Sequence, residues 1–305
     1  MTTPTDISPP KNPLIGVGWM IITGLLFVGV TALVKLAGTR IPAAESAFLR
    51  YVLGLVFLIP MIPAMRRSGG LNGLGPIFAF RGVVHTIAVT LWFYAMARIP
   101  IADVTAMNYL SPVYVTLGAA LFLGETLAMR RLVAVFGALV GAMIILRPGF
   151  REVSDGHIAM LATAVFMASS YLTAKHLSGK TSAVMVVVML SITTSIGLAP
   201  LAWTVWVPPT QEEVLILFAV SALATAGHYT MTLAFAAAPV SVTQPVAFLQ
   251  LIWAVSIGAV FFGEPIDPFV IAGGLIIVGS ISYMSWREAV QKRKEITPHA
   301  TAPKT

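Results

Sequence analysis

A chain of 305 residues with 57% hydrophobic and only 10% charged residues, and a mean hydropathy of +0.89, cannot cover its surface with polar groups, since soluble chains carry roughly 25% charged residues. It reads as an integral membrane protein; long apolar runs, in place of alternating ten-residue segments, select helices over a barrel, because every backbone group in hydrocarbon must be paired internally. The net charge of +7 comes with no nucleic-acid motif or interleaved aromatics and is read as a topology signal, while the absence of cysteine excludes disulfides and thiolate metal sites.

Residues 1–12 are polar and proline-rich and lack the charged start and cleavage site of a secretory signal, so they are expected to form a disordered cytoplasmic tail. The apolar runs then predict ten membrane helices, over 13–36, 43–65, 76–97, 103–123, 130–147, 156–177, 181–204, 213–236, 241–262 and 268–286. Connections are short and carry the glycines, prolines and charges that punctuate such runs. Residues 287–305 are basic and then small and polar, and are read as a second cytoplasmic tail.

The two halves repeat. A constant shift of 139 positions lays Pro100 on Pro239, Phe122 on Phe261, Gly124 on Gly263 and Glu125 on Glu264, which defines repeats at 13–149 and 156–286. Each repeat holds five spans, and an odd number turns the second copy upside down. With the N-terminus inside, cytoplasmic segments carry Lys11, Arg66, Arg67, Arg130, Arg131, Lys175, Lys180, Arg287, Lys292, Arg293, Lys294 and Lys304, against Arg40, Arg98, Arg147 and Arg151 outside. That bias places both termini in the cytoplasm. The predicted fold is an all-α membrane protein, ten transmembrane helices arranged as two inverted five-helix repeats. Many secondary transporters are built so, with their binding site near the midplane between the halves.

The run from Pro100 through Leu123-Gly124-Glu125, then Arg131, Gly137, Gly141 and Arg147-Pro148-Gly149, resembles the signature of the EamA family of the drug/metabolite transporter superfamily, and Arg50 resembles a basic residue often found in that family's second span. The second copy is looser, with Pro265 after Glu264 and Ser285-Trp286-Arg287 in place of the Arg-Pro-Gly end. The resemblance implies a ten-helix carrier that alternates between inward- and outward-open states around a central cavity lined mainly by helices 3, 4, 8 and 9. Its members move amino acids, nucleobases, vitamins, cofactors, polyamines or drugs, some inward and some outward.

Polar groups within membrane helices are costly and in a carrier tend to face a watery path. His85 and His228 lie on equivalent spans; each either binds a solute or relays a proton, or else hydrogen-bonds a neighbouring helix. Asn108, Ser111 and Tyr114 in span 4 fall in repeat register near Gln244, Gln250 and Trp253 in span 9, giving each half a polar group followed one turn later by an aromatic. These form the expected binding surface, with Trp92 as a further wall residue and Pro112 and Pro245 as kink sites. Arg50 is deep enough to serve in substrate charge or gating, whereas Arg81 is expected to snorkel and Lys35 to pair with Glu45. Glu125 and Glu264 are expected to cap or latch the following helix, and Gly137, Gly141 and Gly273 to permit close helix contact.

The function expected is a secondary transporter in a bacterial inner membrane, moving an amino acid or amino-acid derivative. The alternative is a carrier for a ring-containing vitamin or cofactor such as riboflavin or S-adenosylmethionine; an intramembrane enzyme or a non-transporting receptor is the rival class. No cofactor, metal or nucleic acid is called for, the histidines being widely separated. The expected partners are the solute and the bilayer, with protons and a second copy of the chain as open options.

Overall fold

Helix ends in this chain are set by proline and glycine. The structure, a computed structural model, describes residues 13–67, 70–71, 73–123, 129–150, 152–178, 180–237, 246 and 249–296. The first helix, α1 (Pro13–Ala37), stops at Gly38, whose φ of 74° only glycine adopts without strain. Pro42 then caps α2 (Ala43–Gly54), and Ser46 N–H donates to its carbonyl at 2.9 Å. The rod continues as a 3₁₀ segment (Leu55–Met61), loosened where Pro60 has no N–H to donate, and ends in α3 (Ile62–Arg67). After α4 (Gly75–Met96), Pro100 caps α5 (Ile101–Asn108) in the same way as Pro42, with Val104 N–H on its carbonyl at 3.1 Å.

The expected span 103–123 is two helices. Between α5 and α6 (Ser111–Leu123) the backbone tightens, Tyr109 and Leu110 donating three residues back to Ala106 and Met107. Pro112 is the cause: it lacks the N–H that would bind the Asn108 carbonyl. There follow α7 (Met129–Leu146), α8 (Asp155–Ser178), α9 (Ala183–Thr204), α10 (Gln211–Ala237), α11 (Leu249–Phe262) and α12 (Pro268–Ile296), the last running well past the expected end at 286, so that the first part of the basic tail is helical. No strand occurs among the described residues. The Gly124-Glu125 turn and Pro245 lie outside them.

Six helical segments are long and apolar enough to cross a bilayer, Leu14–Ala37, Ala43–Met61, Gly75–Met96, Asp155–Ala174, Val184–Thr204 and Gln211–Met231; Leu132–Leu146, Leu249–Phe262 and Pro268–Met284 are shorter apolar helices. Large apolar side chains such as Leu121, Phe136, Val260 and Phe261 are exposed on the outside of the bundle, as lipid contact requires. The protein is a multi-pass, all-helical membrane protein.

The most extensive interfaces each join a helix before residue 147 to one after 155: α1 lies along α10, α4 along α8, and α7 along α12. Among the described residues, packing is uneven along the bundle. The main buried cluster, including Phe93, Met96, Ile99, Met107, Leu110, Ile145 and Leu217, gathers toward the end where α1, α4 and α7 finish; toward the other end a small cluster of Phe78, Leu177, Met185 and Val186 remains. One end is therefore sealed by packed side chains.

The α7–α12 contact depends on backbone approach. A methyl group on Gly141 would stand 2.6 Å from the Gly273 carbonyl oxygen, and one on Gly273 2.5 Å from that of Gly141. Backbone cannot yield as a side chain does, so steric cost outweighs alanine's better helix propensity. Gly141→Ala or Gly273→Ala is expected to destabilise the protein by about 1–3 kcal/mol, lowering its melting temperature in detergent. Gly279→Ala, facing open space, is expected to leave it unchanged.

Candidate functional site

At the sealed end, polar side chains cross from one half to the other. Lys35 on α1 pairs with Glu264, in the turn before α12, and donates to the Ile99 carbonyl at 2.9 Å. Glu264 Oε2 accepts from Ile101 N–H, at the first residue of α5, at 2.9 Å. Arg40 grips Glu213 with two N–H groups, Nε at 2.7 Å from Oε1, and this bond holds the Arg40 guanidinium pKa above its ordinary value. Glu213 also accepts from Thr210 N–H at 2.7 Å while its own N–H donates to Thr210 Oγ1 at 3.2 Å, a reciprocal cap that starts α10. Arg147 pairs with Asp267 and lies 4.5 Å from the Phe269 ring. Glu45 accepts from Val207 N–H at 2.8 Å.

Deepest in this belt, Asp103 Oδ2 lies 2.9 Å from His157 Nε2, and Ser154 Oγ 2.8 Å from Nδ1; Asp103 and His157 are 1% and 3% exposed, which makes this a buried hydrogen-bonded link between α5 and α8. Among the described residues every ion pair lies at this end and spans the two halves.

Two expectations are corrected here. Lys35 and Glu45 do not pair, because α1 packs its end against the Glu264 turn while Glu45 faces the start of α10. Glu264 does satisfy a helix-start amide, but that of α5 in the opposite half rather than that of the helix following it. Glu125 lies outside the described residues.

Beneath the belt, the break between α5 and α6 opens a cavity of about 170 Å³, lined by Asn108, Tyr109, Ser111 and Pro112, by Tyr171 of α8, and by Val278 and Ile281 of α12. Irregular backbone at membrane depth is tolerated where it lines such a space. Ser111 Oγ is buried with no partner.

Of the other expected site residues, His85 is buried on α4 with Nε2 2.8 Å from the Tyr51 hydroxyl. His228 on α10 meets the Phe27 ring edge-on at 5.2 Å. Arg50 stacks on the Tyr51 ring, its guanidinium carbon 4.1 Å from the centroid. Trp92 and Tyr114 pack against the main core, with the Trp92 N–H buried and unpaired. Trp253 belongs to a separate cluster with Val28, Ile101 and Ala254, and Gln250 lies against Gly24 of α1. Gln244 lies outside the described residues. Asn108 and Ser111 of the first-half stripe thus meet at the cavity, while Tyr114, Gln250 and Trp253 do not line it.

Arg81 does not snorkel: it is 6% exposed and Nη1 donates to the Val186 carbonyl of α9 at 2.9 Å. Sequence reasoning also passed over Asp103 and His157, although Asp103 is the one carboxylate within the run 101–123. Tyr109 and Tyr171 were missed for want of any local signal.

The EamA-like transporter family matches the chain over residues 14–147 and again over 154–286. The chain belongs to this family. The EamA-like transporter is 30% identical to the pseudopaline exporter of Pseudomonas aeruginosa (strain UCBPP-PA14), covering 86% of this chain and 93% of that one. It is 30% identical to a riboflavin transporter of Vibrio cholerae (95% and 99% covered) and 22% identical to an S-adenosylmethionine uptake transporter of Rickettsia bellii (94% and 98% covered). A solved crystal structure 18% identical superposes with a TM-score of 0.55 over 93% of this chain and 98% of that one, a likeness of fold alone. The protein is a membrane transporter of the drug/metabolite type, not an enzyme.

If the cavity carries solute, Ser111→Phe, which fills it from a position with no hydrogen bond to lose, is expected to cut flux in proteoliposomes at least tenfold while the melting temperature holds.

Proposed function

We propose that this EamA-like transporter is a ten-span carrier of two inverted halves, moving an amino acid or amino-acid derivative across a bacterial inner membrane by alternating access. The observation that carries the reading is the one-sided seal: cross-half ion pairs and the packed core at one end, a cavity at the helix break beneath them.

The inverted halves draw support from the 139-residue register and from the exchange in helix packing. The first helix of the first half lies along the third of the second, as the first of the second half lies along the third of the first; the last helices of the two halves pair with each other. Two-fold-related halves pack in this manner. The positive-inside bias puts both termini in the cytoplasm and the belt outside, so the belt is the closed outer gate.

A second reading, a ring-containing solute such as riboflavin or S-adenosylmethionine, is favoured by Tyr109 and Tyr171 on the cavity wall, whose faces stack on planar rings, and by the names of two relatives. Saturable uptake of amino acids into proteoliposomes, with and without a pH gradient, tests the main reading and the part played by protons. Uptake of riboflavin or S-adenosylmethionine in the same vesicles with none of amino acids would replace it with the second.

The gate has its own test, made simple because the chain has no cysteine. Val104 is 2% exposed beneath the belt. In a Val104→Cys background, replacing both Lys35 and Glu264 by glutamine leaves no unpaired charge and is expected to raise labelling by an impermeant maleimide from the outer face at least fivefold. Unchanged labelling, or labelling only from the inner face, contradicts the gate and its orientation.

A further inference from the structure

Among the described residues, the interior of the bundle carries positive charge that no acid answers. Arg50 sits seven residues inside α2 and Arg81 six inside α4, each about 10 Å from its helix start at 1.5 Å per residue. Neither has an ion-pair partner among the described residues, whose carboxylates lie at the belt end or toward the helix termini. The two arginines belong to one constellation. Arg50 lies on the Tyr51 ring, Tyr51 bonds His85 at 2.8 Å, and Arg81 is one turn before His85 on the same face of α4.

Donors here are left open. Arg81 spends Nη1 on the Val186 carbonyl, while its Nε is buried without a partner, as is His85 Nδ1. A buried guanidinium N–H without a partner is costly unless something fills it. Nε and the neighbouring Nη2 form the edge that receives a carboxylate through two parallel hydrogen bonds, a geometry lysine cannot offer. Arg81 is carried by α4, which packs along α8, the helix that supplies Tyr171 to the cavity wall.

Resting on the carrier reading above, we propose that Arg81, with Arg50 and His85, forms an anion subsite that binds a carboxylate of the transported solute, and that the solute is a net organic anion rather than a zwitterion or cation. An acidic or N-acylated amino acid fits the description; a neutral ring system or a sulfonium does not.

The test uses the full chain in phosphatidylcholine nanodiscs, so that no anionic lipid headgroup competes. Succinate, N-acetylglutamate and hippurate are each compared with the uncharged amide by thermal shift. The acid is expected to raise the melting temperature and the amide to have no effect. Apparent affinity for the acid is expected to fall at least tenfold in Arg81→Gln, with part retained in Arg81→Lys. Arg50→Gln, which loses only a ring contact and therefore folds, is expected to weaken binding at least threefold. Acids and amides acting alike, neither acting across the series, or affinity unmoved in both glutamine variants overturns the subsite. Flux separates this result from the carrier reading: Arg81-dependent binding without flux keeps the subsite and removes the carrier, whereas saturable flux of a neutral or cationic solute unmoved by Arg81→Gln keeps the carrier and removes the subsite.

Discussion

One carboxylate, Glu264, ties together three parts of the molecule. It pairs with Lys35 at the end of α1, accepts the Ile101 N–H at the start of α5, and rides on a turn fixed by Gly263 at φ 62° and by its own N–H on the Gly258 carbonyl at 3.0 Å. Gly258 is bare for a reason: a methyl group there would collide with the Glu264 carboxylate. Removing one partner from such a pair leaves a charge with little water to receive it, at a cost of several kcal/mol.

The consequence runs down α5. Its start is tied to the opposite half through Glu264 and, two residues further on, through Asp103 and His157. Its end is the break at Tyr109 and Leu110, where the cavity opens. This eight-residue helix therefore runs from the belt to the cavity, a distance of about 12 Å at 1.5 Å per residue. Charge is layered to match. Among the described residues, carboxylates gather in the belt with their bases, and Arg50 and Arg81 stand in the interior without an acid partner.

Much of the fold was legible because hydrocarbon leaves few alternatives: an apolar run of span length must be a helix, and proline and glycine mark its ends. Pro112 announced a kink, and the break falls on the residues just before it, where the missing N–H acts. The pairing of charges was not legible in the same way. Lys35 and Glu45 are ten residues apart and invite a local pair, yet partner choice depends on which helix end packs opposite, information that resides in the tertiary contacts. Arg81 looked like a snorkelling residue from its distance to the helix start, because sequence cannot say that α9 covers it. His157 stood in an unremarked loop-to-helix junction until Asp103, 54 residues earlier, was seen beside it. Of the expected binding residues, Asn108 and Ser111 meet at the cavity because one break places them there. Gln250 and Trp253 went elsewhere because the second half has a different packing around them.

The claim on which the account rests is that the belt opens and closes. A pulsed spin-label distance measurement between Thr39→Cys and Ile266→Cys, exposed positions beside Lys35 and Glu264, reads this directly in reconstituted protein. Two distance populations, a short closed one and a longer open one whose proportions move when transported solute is added, are predicted. A single short distance that stays fixed while solute crosses the membrane would contradict alternating access through this gate.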